Sequence, residues 1–279
     1  MHGSSGNHGV EKPISAGLRS GWAKVKETGK IGLLPFIPAG FPDLETTRAC
    51  IEAVARAGAT AVEIGFPFSD PIADGPVIQG AFQHALDRGI RVADIFDTMQ
   101  GLGPITMPRV AMVSYSIIHR FGPESFVRRA AESGFSGILA PDLPLPEARD
   151  FCRLVNQAGL DTVMLVSPST PAERRELICQ LCTGFVYFQA VAGVTGERSE
   201  LPSELIGMLA AVRQVADCPV AVGFGLSTAQ HVAMLQGHAD GAIVGSALVR
   251  SIGRLLERGR DEIAGAVGSL VEQLLAKCS

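Results

Sequence analysis

A single (β/α)8 barrel is what this sequence predicts, on three observations. Its 279 residues suit one large barrel, since α/β barrels of about 250 residues fold as one unit. Eight short apolar runs rich in Val, Ile, Leu and Phe recur with helical patterns between them. None of the eight alternates apolar with polar residues, so each strand should be buried on both faces, the habit of a parallel sheet covered by helices.

The strands are read at 31–37 (IGLLPFI), 60–64 (TAVEI), 109–114 (RVAMVS), 136–140 (SGILA), 161–166 (DTVMLV), 184–189 (GFVYFQ), 219–223 (PVAVG) and 240–244 (DGAIV). The stretches between them have helix signals. DLETTRACIEAVARAG opens on Asp43 as an N-cap and closes on Gly58 as a C-cap. STAQHVAMLQGHAD repeats that pattern with Ser227 and Gly237. A helix precedes the first strand, extra helices follow strands 2 and 8, and a C-terminal helix lies near 260–277. The interval 65–108 holds a loop and two helical patterns, and a second long interval follows strand 6. Loops after strand C-termini carry the chemistry of this fold, so these intervals are where a site belongs. The rival architecture is an open doubly wound sheet. It would place a G-x-G-x-x-G loop after strand 1, and LLPFIPAGFPD has none. Prolines 35, 38 and 42 suggest a fixed turn there instead.

Residues 1–13 read as a disordered Gly-, Ser- and His-rich tail and 14–279 as the catalytic domain. The formal net charge is −4 with no basic cluster, which argues against a nucleic-acid surface. No apolar run approaches the ~18 residues of a membrane span, and the chain is expected to be cytoplasmic. Six cysteines occur in a long chain without an export signal, so a disulfide framework is not expected. Cys179 and Cys182 fall within PAERRELICQLC and read as two residues one turn apart on a helix. No His, Cys and Asp constellation suggests a metal, and no lysine ends a strand where a Schiff base would form.

The most informative segment is VEIGFPFSDPIADG, 62–75. If Val62 and Ile64 face the helices, alternation turns Glu63 into the barrel. It would then lie one residue from the strand's end, at the mouth, partly desolvated and with a pKa raised toward a working acid–base range. The bland alternative is a Glu paired inside the barrel, but no Lys or Arg is near it in sequence. Prolines 67, 71 and 76 hold the following loop, which carries Ser69, Asp70 and a second carboxylate, Asp74. GFG at 223–225 follows strand 7, and GSA at 245–247 follows strand 8 and opens a helical run. Barrels commonly bind phosphate with these loops and a helix N-terminus. The loop AGVTGERSE at 192–200 is Gly-rich and polar, as a mobile lid should be, or it is an ordinary connection.

VEIGFPFSDPIADGP resembles the signature of tryptophan synthase alpha subunits throughout its length. Three further motifs agree in order and register: FVYFQAVAGVTG at 185–196, AVGFG at 221–225 and IVGSALV at 243–249. The likeness extends over about residues 30–275. It implies a lyase that cleaves indole-3-glycerol phosphate to indole and glyceraldehyde 3-phosphate without a metal or organic cofactor. It implies Glu63 as the acid–base and Asp74 as the carboxylate that holds the indole N–H. Phe36 would line the indole pocket, Tyr187 would be the active-site tyrosine, and Thr195 would close the lid over Asp74. Gly196, Phe224, Gly225, Gly245 and Ser246 complete the implied substrate contacts. The implied partner is a pyridoxal-phosphate beta subunit in an alpha2-beta2 assembly, contacted through 66–76.

The chain departs from the family pattern at three places. Ile117 stands where an asparagine usually follows the strand 3 tyrosine. Ala190-Val191 replaces Ser-Arg at the lid, and Phe185 replaces a tyrosine. These bear on subunit communication and lid closure rather than on the carboxylates. Competing readings are another phosphate-binding barrel, such as indole-glycerol-phosphate synthase or phosphoribosylanthranilate isomerase, a standalone lyase releasing free indole, and a non-catalytic activating subunit of a beta partner.

Overall fold

The computed structural model describes residues 17–70, 75–190, 201–223 and 225–276. The chain opens with α1 (Leu18–Thr28), β1 (Gly32–Pro38), α2 (Leu44–Arg56) and β2 (Val62–Gly65). Next come α3 (Pro76–Asp87), α4 (Val92–Gln100), β3 (Arg109–Met112), α5 (Tyr115–Phe121) and α6 (Pro123–Glu132). The middle runs β4 (Gly137–Leu139), α7 (Leu145–Gln157), β5 (Asp161–Val166), α8 (Ala172–Leu181) and β6 (Phe185–Gln189). It ends α9 (Ser203–Arg213), β7 (Val220–Gly223), α10 (Ala229–Met234), β8 (Gly241–Val244), α11 (Ser246–Gly253) and α12 (Arg260–Leu275). The strands close in sequence order, β1 through β8, into a parallel barrel.

All eight expected strands are present, most trimmed by a residue or two at their ends. The extra helices after strands 2 and 8 are α3 and α11, and the N-terminal helix is α1. Helix α5 after strand 3 is an addition that the sequence reading lacks. Asp43 caps α2 as expected, accepting a hydrogen bond from the Thr46 N–H at 2.7 Å. The C-cap itself is Ala57, and Gly58 follows it at φ +91°. The cap of α10 is Thr228 rather than Ser227: its backbone is extended and its hydroxyl accepts from His231 N–H at 3.2 Å. Pro35 and Pro38 lie within β1 rather than in a turn. The strand passes through Pro35 and ends on Pro38, although each lacks a donor.

Two cores result from the alternation of side chains. One lies inside the barrel and contains Leu34, Val110, Leu139, Val163, Phe185, Ala221 and Ile243. Leu18 and Trp22 of α1 belong to it and close its N-terminal end, with Trp22 edge-on to Phe185 at 5.6 Å. The other lies between strands and helices and includes Val62 and Ile64. Helix α1 is held in this plugging position by long-range bonds. The Asp161 carboxylate at the foot of β5 accepts from Leu18 N–H at 3.1 Å, serving as a cap that the helix's own Gly17 cannot provide. Gln236 accepts from Ile31 N–H at 3.1 Å and donates to the Gly29 carbonyl at 2.5 Å. With the bottom plugged by α1, a cavity remains toward the C-terminal ends of the strands.

Just beyond β2, Phe66 is buried among Phe96, Phe126 and Phe135 with ring centroids 5.5–5.9 Å apart. This cluster anchors the root of the loop that follows Glu63. Within that loop Ser69 donates to Asp70 at 2.7 Å, and both are exposed.

Candidate active site

A cavity of about 290 Å³ sits at the C-terminal mouth of the barrel. Phe36, Glu63, Tyr187, Gly225, Gly245 and Ser246 all line it. Six residues expected from sequence therefore meet in one cavity, drawn from β1, β2, β6 and the loops after β7 and β8. Asp74, Thr195, Gly196 and Phe224 lie outside the described residues, as do the tail at 1–13 and the loop at 192–200. A larger open groove of about 920 Å³ lies at the other end, bordered by Trp22, Lys26 and Arg213. It is backed by the plug helix and the feet of the strands, away from the ends where this fold carries its chemistry.

Glu63 is fully buried. Its neighbours Val62 and Ile64 pack toward the helices, so the alternation argument holds. In register it stands beside Phe36 on one side and Val110 on the other. Its strand runs to Gly65, which puts Glu63 two residues from the end rather than one. It thus occupies the boundary between the filled lower barrel and the cavity.

The aromatic walls depend on two glycines. Gly65 shares the inward face with Glu63, and the Phe36 ring lies across it: a Cβ there would come within 2.6 Å of Phe36 Cε2. Gly223 shares the inward face of β7 with Ala221, and the Tyr187 ring lies over it, so that a Cβ would overlap the phenol. Each aromatic lies flat because the facing position has no side chain. Phe36 is backed edge-on by Phe82 of α3 at 6.2 Å.

At the far side Gly245 is the N-cap of α11 and Ser246 its first residue, with no side chain capping the helix. Its leading N–H groups and partial positive charge therefore remain available to an anion. Gly225 has φ +73°, which L side chains rarely adopt.

Sequence reasoning missed Ile78 of α3, Gln189 of β6 and Arg250 of α11 as lining residues. Ile78 and Gln189 carry no signal, because periodicity gives a face but no depth. Arg250 has one: it lies four residues after Ser246 on the same helix face. The departures fall clear of the cavity where they are described. Phe185 fills the lower barrel against Trp22. Ile117 is in α5, next to the segment where Asp142 accepts from the Ser114 hydroxyl and the Tyr115 N–H, each at 2.7 Å. Tyr115 turns outward onto Phe151, and burial, followed by a hydrogen bond with Glu147, pushes its pKa up to about 12. Cys179 lies in the last turn of α8, but Cys182 is its C-cap with extended backbone, so the two do not share a helix face as the sequence suggested.

A buried carboxyl and a helix N-terminus that no side chain caps, both on the wall of one cavity at the barrel mouth, make an arrangement suited to a barrel enzyme with a small phosphorylated substrate. The family model described as tryptophan synthase alpha chain matches residues 22–274. The tryptophan synthase alpha chain of Rhodopirellula baltica is 39% identical over 260 residues, covering 92% of this chain and 94% of that one. A mutant tryptophan synthase alpha-subunit from Pyrococcus furiosus superposes with a TM-score of 0.80 at 38% identity, covering 89% and 98%. The tryptophan synthase complex of the same organism contains a chain at TM-score 0.79 and 37% identity, with the same coverage. The chain belongs to the tryptophan synthase alpha-chain family. Its activity is accordingly the alpha reaction of tryptophan biosynthesis, a lyase step on indole-3-glycerol phosphate.

Proposed function

We propose that Glu63 is the acid–base of this lyase and that Asp74 is the second carboxylate, holding the indole N–H. The observation that carries the proposal is a fully buried carboxyl on the wall of the cavity that Gly225, Gly245 and Ser246 also line. The indole ring lies between Phe36 and Tyr187, and the phosphate rests against Gly225, Gly245 and the Ser246 hydroxyl. Phe224, Thr195 and Gly196 join the substrate contacts in the closed enzyme.

The reaction is a retro-aldol. Protonation of indole C3 turns the ring into a leaving group, and a hydrogen bond from N1–H to Asp74 stabilises the positive charge that develops. A base removes the proton from the hydroxyl on the departing chain, and the carbon–carbon bond breaks. Glu63 serves either both proton steps or only the second. Its location at the filled end of the cavity keeps water from competing for the proton.

The partner is a pyridoxal-phosphate beta subunit, in an alpha2-beta2 assembly in the cytoplasm, with 14–279 as one catalytic domain. The match to a chain of a tryptophan synthase complex supports that partnership. Among the described residues no helix is long and apolar enough to cross a membrane.

The test is indole release from indole-3-glycerol phosphate by Glu63→Gln. Turnover is expected to fall at least ~100-fold, the usual scale for a lost acid–base group, with substrate affinity and melting temperature kept. Near-normal turnover would overturn the assignment of Glu63.

A further inference from the structure

We infer that Arg250 is a charge-bearing contact for the substrate phosphate, adding a full positive charge to a site otherwise built from backbone amides and a hydroxyl. The inference rests on the phosphate position proposed above. Arg250 lines the mouth cavity together with Ser246, Gly245 and Gly225. Among the described residues that line the cavity, Glu63 and Arg250 are the charged ones.

Helix geometry explains how a residue one turn in can serve an N-terminal site. Residues i and i+4 share a face, and helical Cα–Cβ bonds tilt toward the N-terminus. From position 250 a long side chain is thus carried back over the turn that begins at Ser246. A guanidinium matches a phosphate with paired donors. Arg250 forms no ion pair with an acid among the described residues, whereas Arg258 and Arg260 of the same region pair with Glu262, Glu45 and Asp261. A cation committed to a structural ion pair could not reach for a ligand. Arg254, one turn further along, does not line the cavity, so the feature belongs to Arg250 and not to the basic stretch as a whole.

The site needs such a charge. The substrate phosphate approaches −2 near neutral pH, and the helix terminus offers only a partial positive charge. Arg250 is exposed, so solvent and salt screen it, and its contribution is correspondingly modest.

The experiment uses the full chain with inorganic phosphate as the probe, read as competition against indole-3-glycerol phosphate at ~20 mM and ~500 mM salt. Wild type, Arg250→Gln, Arg250→Lys, Arg254→Gln and Ser246→Ala are compared, each checked by thermal melting. Arg250→Gln is expected to weaken phosphate about 3- to 10-fold at low salt, a difference that shrinks at high salt. The loss should fall on KM more than on kcat. Arg250→Lys should recover part of the loss, since charge remains but the fork is gone. Arg254→Gln removes the same charge nearby and should bind phosphate as wild type does. Equal effects of the Arg250 and Arg254 variants, or an Arg250→Gln protein with wild-type affinity, would overturn the inference while Ser246→Ala still weakened binding. Failure of phosphate to compete in wild type would instead overturn the phosphate position itself.

Discussion

Gly65→Ala tests the architecture of the cavity most directly, because one methyl group acts on one aromatic wall. Gly65 has an ordinary backbone conformation, so the substitution introduces no φ strain and its effect is steric. The added Cβ would lie 2.6 Å from Phe36 Cε2 and 3.1 Å from Phe82 Cε1. Ordinary carbon contacts are about 3.5–4.0 Å, so the Phe36 ring must move by about 1 Å. It cannot retreat toward the helices, where Phe82 backs it edge-on at 6.2 Å. The open direction is the cavity of about 290 Å³. Because the ring has somewhere to go, the stability cost should sit low in the overpacking range, about 1 kcal/mol. For a chain of this size that corresponds to a melting shift of about 2–4 °C. The functional cost should be larger, since the displaced ring enters the space proposed for the indole. A loss of about 10- to 100-fold in kcat/KM, or roughly 1.4–2.7 kcal/mol of transition-state stabilisation, is expected. Steady-state indole formation and thermal melts would be measured for Gly65→Ala, Phe36→Leu and the double variant. In the Phe36→Leu background the alanine should cost little, giving a coupling of about 1 kcal/mol in stability. Wild-type kcat/KM in Gly65→Ala, or strictly additive losses in the double variant, would refute the account of Phe36 as a wall held flat by a glycine.

The thiols and the partner give two more expectations. Burial raises the pKa of Cys50 to about 12 and of Cys152 and Cys179 to about 11, while a hydrogen bond from Cys182 lowers that of Cys218. As the thiolate is the nucleophile, Cys218 should label fastest of these four with a disulfide reagent at about pH 8, and faster labelling of Cys179 would contradict this. Ala190-Val191 lacks the hydroxyl and charge usual at the lid, so lyase activity should be weak alone and rise as a beta subunit is titrated in. Full activity that stays unchanged at saturating beta subunit would favour a standalone lyase.

The strands and the inward carboxylate were legible in the sequence for one physical reason. A parallel barrel strand is buried on both faces and its side chains alternate between them, so with Val62 and Ile64 against the helices the residue between them turns inward. Glu63 is that residue. Residues that depend on three-dimensional depth were not legible. Ile78 reaches the cavity from α3, and nothing in the amphipathic pattern of that helix separates it from residues packed elsewhere. Helix α5 was missed because YSIIHRF is short and rich in residues equally suited to a strand. Thr228 and Ser227 offer equivalent hydroxyls, and only the extended backbone at 228, with its oxygen three residues before the His231 N–H, decides the cap. Pro35 and Pro38 misled in the other direction, since a closed barrel tolerates missing donors where its neighbouring strands and both cores hold the strand in place.

The location of Glu63 follows from how the barrel is filled. From below, Trp22, Phe185, Leu34 and their neighbours pack the interior as a buried apolar cluster. Above, Gly65, Gly223 and Gly245 replace bulk with space at the next inward level. A carboxyl placed one level lower would be entombed among apolar groups with no substrate to meet. One level higher, it would lie in the loop region, open to water. The boundary level desolvates the acid and still lets a ligand touch it. That level is also where the flat aromatics Phe36 and Tyr187 begin, and their flatness requires the glycines that create the space. Burial of the acid and shape of the slot thus follow from where small residues stand: glycines 32, 137, 184 and 241 make room in the lower barrel for the Leu18 and Trp22 plug, and glycines 65 and 223 make room higher up for the flat rings of Phe36 and Tyr187.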